Sequence, residues 1–285
     1  MIRLERGRGH FAAVDGTVLR YLSWTTPGAR AALLVVHGLG EHAGRYDAFA
    51  VRAARRAYST FALDLRGHGR SEGAPTHVGR FADYSADVMA LRATLLGTLP
   101  DGLPLLLLGH SMGGLIGLRV LQEYPDAFPA AAITSPWLAE AASPPPWRDR
   151  LGRFLLRVTP RVAIPNGIRA VDLSHDPVVV RDYDIDPMVR RTITPGLYAA
   201  ARRAQRAAIA SPGRISAHLL LLLAGEDRVI DTATARAFGE AVGERGEVET
   251  FPGLFHEVLN EADSNPVYRR LFEWVEDRLP PPEAA

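Results

Sequence analysis

The 285-residue chain contains no cysteine and no lysine. The first absence removes disulfides, thiolate-bound metal and a cysteine nucleophile from consideration. The second removes any catalytic lysine, since all 33 basic residues are arginine. Charge of one sign is lacking as well: 33 basic residues against 32 acidic ones leave a formal net charge of +1. So balanced a chain has no electrostatic footprint for nucleic acid, and no such partner is expected. Long apolar runs are also missing. Stretches such as 219–224 are far too short to span a bilayer. The opening MIRLERGRGH has no apolar core of a secretory signal. A soluble, cytoplasmic protein is expected, at most peripheral at a membrane. With 47% hydrophobic residues the chain has ample material for a core.

Short apolar runs alternate with helical periodicity. An Asp15-Gly16 turn predicts a hairpin over 10–24. Continuous apolar runs at 31–36, 58–63, 105–108, 130–134 and 217–223 read as buried parallel strands, with a last short strand at 247–251. Helical patterns occupy 46–56, 84–99 and 113–123. This alternation predicts an α/β fold with a mostly parallel sheet, whose reactive loops gather at the carboxyl ends of the strands. The rhythm breaks between Trp137 and Pro212, where Pro144-Pro145-Pro146 and short helical pieces replace any core strand. The expected organisation is a core over 1–136 and 213–285 with a helical cap inserted at 137–212. A frayed Pro/Ala tail is expected after Leu279.

The chemistry concentrates where the strand at 105–108 runs into Gly109-His110-Ser111-Met112-Gly113, a G-x-S-x-G sequence followed by a helical pattern. A strand-turn-helix setting forces the middle serine onto a strained turn with its hydroxyl exposed. Ser111 is therefore the candidate nucleophile. A serine hydroxyl needs a base, and the base needs an orienting acid. His256, in the loop after the last strand, is the best placed of nine histidines. His218 opens a core strand and reads as structural, whereas His10, His42, His77 and His175 are expected to face solvent or neighbouring loops. Asp227, after the strand ending near Ala224, is the candidate acid, with Glu226 and Asp231 as competitors. The order serine, acid, histidine is that of the α/β-hydrolase arrangement. One backbone donor for an oxyanion is expected from Met112. The second is expected from Leu39, in His37-Gly38-Leu39-Gly40 after the first parallel strand. The Asp64–Ser71 segment lacks P-loop spacing and reads as a structural turn. His37 and His42 lack a completing carboxylate pattern, so no metal and no cofactor are expected.

Taken together, these residues resemble the monoacylglycerol lipase and lysophospholipase branch of the α/β-hydrolase superfamily. The matching pieces are His37–His42 with Arg45-Tyr46, Asp64–Ser71, Gly109–Gly114, Ser135-Pro136, Gly225–Arg228 and Pro252–Glu257. The resemblance implies an eight-stranded, mostly parallel sheet under a mobile lipophilic cap. It also implies serine esterase chemistry on single-chain lipid esters, monoacylglycerol first, with lysophospholipid or a general carboxylic ester as alternatives. Carried over, Ser111, Asp227 and His256 form the triad and Leu39 and Met112 the oxyanion hole. Trp137, Ile168 and Val229 are candidate walls of the acyl pocket. An aminopeptidase of the same superfamily would want cap acids to hold an amine, and Asp182, Asp184 and Asp186 are available. A non-catalytic ligand-binding protein would keep the fold without turnover. In the cap, Trp147, Leu151, Phe154, Leu155 and Val158 share one helical face, with Arg150, Arg153 and Arg157 on another. Packing of that stripe on the protein's own core is favoured over transient contact with a membrane surface.

Overall fold

The computed structural model describes residues 3–142 and 146–279. Eight strands form one sheet in the order β1-β2-β4-β3-β5-β6-β9-β10. They are β1 (Glu5–Ala12), β2 (Val18–Thr25), β3 (Ala31–Val36), β4 (Tyr58–Asp64), β5 (Leu105–His110), β6 (Ala130–Thr134), β9 (His218–Ala224) and β10 (Gly246–Phe251). The β1–β2 hairpin turns at Asp15-Gly16, where Asp15 Oδ1 accepts from the Thr17 amide and Gly16 takes φ 83°. β2 pairs antiparallel with both β1 and β4, and β4, β3, β5, β6, β9 and β10 pair parallel.

The continuous apolar strands are what a sheet covered on both faces requires. Leu34, Val36 and Leu107 pack beneath α2 (Ala82–Leu96) and α3 (Met112–Glu123), with Ala235 and Phe238 of α7 (Thr232–Ala241) in the same apolar layer. Leu33, Val35, Leu106 and Leu222 face α1 (Asp47–Ala54) and α8 (Asn265–Glu276) instead. One-residue alternation along each strand thus feeds two separate cores. The predicted helices exist, with α1 beginning only at Asp47, after a single 3-10 turn over Ala43–Tyr46.

Between β6 and β9 the described residues contribute no strand to the main sheet. It forms α4 (Pro146–Val158), β7 (Ile164–Pro165), α5 (Pro177–Ile185), β8 (Thr192–Ile193) and α6 (Pro195–Ile209). β7 and β8 make a two-residue ladder of their own, too short for any hydrophobic period to announce. α6 packs on α3, and α4 lies on α6. The favoured placement of the α4 stripe is corrected here. Leu151, Phe154 and Val158 are 46%, 60% and 65% exposed, so that face does not pack on the core. Pro144, Pro145, the tail beyond Leu279 and the side chains of Trp147 and Arg153 lie outside the described residues.

Candidate active site

Ser111 stands between β5 and α3 with φ 54° and ψ −116°, a conformation only a tightly packed turn can impose. The two flanking glycines explain how. A Cβ on Gly113 would lie 2.1 Å from the carbonyl oxygen of Val36, and one on Gly109 would lie 2.7 Å from that of Gly113. Neither approach tolerates a side chain, so α3 can start against the end of β3 only with glycine there.

The three candidate catalytic side chains meet at the carboxyl ends of β5, β9 and β10. The His256 imidazole lies 3.0 Å by its Nε2 from Ser111 Oγ, and 2.8 Å by its Nδ1 from Asp227 Oδ2. A carboxylate only accepts, so Nδ1–H donates to Asp227 and Nε2 accepts from the Ser111 hydroxyl. The other carboxylate oxygen, Asp227 Oδ1, accepts from the amides of Val229 and Ile230, which fixes its plane. Ser135, itself at φ 41°, donates its hydroxyl to the His256 carbonyl and anchors the base from β6. Burial opposes a charged imidazole, but Asp227, by charge and hydrogen bond, and the carboxylates of Glu257 and Glu41 outweigh it. The net shift of His256 is upward from 6.5. Burial likewise opposes the Asp227 carboxylate, yet His256 and the two amides hold it below its ordinary range.

The amides of Leu39 and Met112 have no hydrogen-bond acceptor among the described residues. His37 explains how Leu39 is held. Its Nδ1–H donates to the Gly38 carbonyl at 2.8 Å, while its Nε2 accepts from the Leu65 amide at 3.1 Å. Burial, with the nearby His68, keeps this ring neutral as that bonding pattern requires. The Asp64–Ser71 turn is structural, as expected. Asp64 accepts from the amides of Ala43 and Arg70, tying the turn to the segment that carries Glu41 and Arg45.

Behind His256 lies a buried charge network that reading the sequence did not assemble. Arg45 donates to both carboxylate oxygens of Glu257 at 2.7 and 2.8 Å and lies 3.2 Å from Glu41. His110, whose ring stacks obliquely 4.9 Å from that of His256, places Nε2 3.6 Å from Glu41. Burial raises the Glu41 carboxyl despite Arg45. Glu257 is held low because Arg45, paired with it through two hydrogen bonds, outweighs its desolvation. Glu41, His110 and Glu257 are close enough to share a cation, but the Arg45 guanidinium already fills that role. The signal was present in Glu41, Arg45 and Glu257 of the matching segments. Nothing in their spacing told that residues 212 apart would pair.

Of the other histidines, one departs from expectation. His42, expected to face solvent or a neighbouring loop, meets a loop: it is buried and shares a 2.8 Å hydrogen bond with Asp186. His218 is exposed at the first position of β9, so it has no structural part in the core.

A cavity of about 820 Å³ opens on Ser111 and Leu39. All three candidate wall residues, Trp137, Ile168 and Val229, line it. Trp137 is tied to the site directly, its amide donating to the Ser111 carbonyl at 3.0 Å.

A pH profile tests the electrostatics. A base whose imidazolium is stabilised must shed its proton above the usual 6.5, so kcat/KM should rise with pH through a midpoint above that value. Asp227→Asn should move the midpoint downward and lower the plateau by about 10³- to 10⁴-fold, through loss of the tautomer. A midpoint unmoved by that substitution would remove Asp227 from its role.

Residues 27–263 match the family Hydrolase_4, described as serine aminopeptidase, S33. The monoacylglycerol lipase of Mycolicibacterium smegmatis is 32% identical over 98% of this chain and 100% of its own length. The human (Homo sapiens) monoglyceride lipase is 31% identical over 94% of this chain and 90% of its own. Among solved structures, the monoacylglycerol lipase of Paleococcus ferrophilus superposes with a TM-score of 0.80 at 26% identity, covering 96% of this chain and 99% of the other. A soluble variant of monoglyceride lipase from Saccharomyces cerevisiae, in complex with a substrate analog, gives 0.82 at 20% identity, with 96% of each chain covered.

Proposed function

This chain belongs to the Hydrolase_4 family and to its monoacylglycerol-lipase-like branch, and from that premise we propose that it hydrolyses single-chain carboxylic esters, monoacylglycerol first, through an acyl-enzyme on Ser111. The observation that carries the reading is a serine hydroxyl 3.0 Å from an Asp-backed imidazole, at the floor of a cavity walled by Leu39, Trp137, Ile168 and Val229. His256 takes the Ser111 proton as Oγ attacks the ester carbonyl. The amides of Leu39 and Met112 receive the developing oxyanion. The alcohol leaves with the proton from His256, and water then attacks the acyl-enzyme with His256 again as base. In this reading residues 137–212 cap the site, and 1–136 with 213–285 form the hydrolase core.

The cap acids named for the aminopeptidase alternative do not reach the cavity, and the two cap acids among the described residues that do line it, Glu140 and Asp172, are paired with Arg202 and Arg169. Asp182 pairs with Arg181, Asp184 with Arg191 and Asp186 with His42, and none of the three lines the cavity. A chain-length series of monoacylglycerols, beside lysophospholipids and an amino-acid anilide, tests the assignment. Monoacylglycerol turnover with no anilide cleavage is expected. The Trp137 indole should set an upper limit on the acyl chains accepted, which Trp137→Leu extends. Anilide cleavage without ester cleavage would reverse the reading.

Membrane contact through α4 belongs to the same proposal. Leu151, Phe154 and Val158 are exposed on one face, with exposed Arg150 and Arg157 beside them. Such a face suits the boundary between headgroups and acyl chains, next to the lipid the enzyme draws on. No helix among the described residues is long and apolar enough to cross a membrane. Serine at positions 151, 154 and 158 should lower binding to phosphatidylglycerol vesicles about tenfold or more, measured by flotation, while p-nitrophenyl butyrate turnover persists. Unchanged flotation would sink this part.

A further inference from the structure

The cavity above Ser111 is not uniformly lipophilic. α6 presents Tyr198, Arg202, Arg203 and Arg206 to it, at spacings that place 198, 202 and 206 on one helical face. Tyr198 marks the catalytic end, because its ring lies 6.4 Å from that of Trp137, which is bonded to the Ser111 carbonyl. From Tyr198 to Arg206 the helix advances roughly 12 Å. The wall therefore grades from aromatic near the serine to cationic at its far end.

The charge there is locally unbalanced. Among the described residues five arginines line the cavity, at 169, 202, 203, 206 and 228, against two acids, Glu140 and Asp172. Arg202 is taken up by Glu140 at 2.8 Å and Arg169 by Asp172 at 2.9 Å. Arg228 lies 3.7 Å from Asp172 and 3.9 Å over the ring of Phe255. Arg203 and Arg206 have no acidic partner among the described residues. Among the described residues that lining carries an excess of three positive charges, in a chain whose whole net charge is +1. A wholly neutral acyl chain gains nothing from two such guanidinium groups.

We infer that the far end of the cavity is an anion subsite, in which Arg203 and Arg206 hold a carboxylate or phosphate carried by the substrate itself. This rests on the ester-hydrolase reading and adds to it single-chain esters that carry an anionic group at the end of the chain remote from the scissile carbonyl. Guanidinium forks pair with carboxylate and phosphate oxygens through charge-assisted hydrogen bonds, and they suit such a group better than a point charge does. The far arginines set which ester is preferred. They take no part in bond cleavage.

The probe is the mono-p-nitrophenyl ester of dodecanedioic acid, compared with its ω-methyl ester in lipid-free buffer below micelle-forming concentration. The readout is the ratio of their kcat/KM values. Arg203→Ala with Arg206→Ala should lower that ratio about tenfold, mainly through KM for the carboxylate ester. Arg203→Lys with Arg206→Lys should restore part of it, and 0.5 M salt should erode it in the unmodified protein, as expected for exposed charges. A ratio unchanged within twofold by the alanine pair overturns the subsite. So does an effect of the alanine pair confined to phosphatidylglycerol vesicles, which would assign these arginines to membrane lipid. Turnover of p-nitrophenyl butyrate separates the two failures. Its absence in the unmodified protein defeats the ester-hydrolase reading, whereas its presence with an unchanged ratio defeats the subsite alone.

Discussion

Alanine at position 111 should reduce ester turnover by at least about 10⁴-fold while leaving the thermal midpoint nearly where it was. The loss follows from geometry: His256 Nε2 has the Ser111 hydroxyl as its partner at 3.0 Å, and without it no covalent intermediate forms. Stability should hold because the strained φ of 54° belongs to the turn and is no harder for alanine than for serine. The fixed points of that turn are the glycines at 109 and 113, which the substitution does not touch. A fluorophosphonate probe should label the unmodified protein and not Ser111→Ala. Retained turnover or labelling in the variant would move the nucleophile elsewhere.

The second large effect is on stability. Arg45→Met removes the cation that Glu41 and Glu257 share, and all three side chains are no more than 10% exposed. Breaking a buried ion pair from one side leaves uncompensated charge, typically about 3–5 kcal/mol less stable. For a chain of this size that is on the order of 10 °C in Tm. Adding Glu41→Gln and Glu257→Gln to Arg45→Met should recover much of the loss, because the penalty comes from stranded carboxylates rather than from missing contacts. Calorimetry of the single and triple variants checks both. If Arg45→Met melts with the unmodified protein, the network is not the buried charge cluster its geometry describes.

That network also connects stability to catalysis. Glu257 follows His256 directly, and its charge is one of those that raise the imidazole. The pair Arg45–Glu257 therefore does two things at once. It ties the segment after β3 to the loop that carries His256, and in the proposed mechanism it sets the field in which that imidazole acts as the base. A neutral His110, pushed down to about 3 by burial and by His256, sits between them without adding positive charge.

The sequence by itself determined the elements and the order of the chemistry. Apolar runs buried on both faces can only be central parallel strands, which is why 31–36, 105–108 and 130–134 were legible. Glycines at 109 and 113 and the strand-to-helix change around them located Ser111, because no other residues let those backbones approach. Asp227 and His256 were singled out as candidates because they lie in loops after strands, where a parallel sheet gathers its reactive groups. Only the tertiary structure decided which distant charges meet. Arg45 finds Glu257, and His42 finds Asp186, across separations that no local period encodes. It also decided which face of α4 stays exposed and which face of α6 lines the cavity. A helical stripe records that two sides differ, while the neighbours that cover one of them arrive only when the chain has folded.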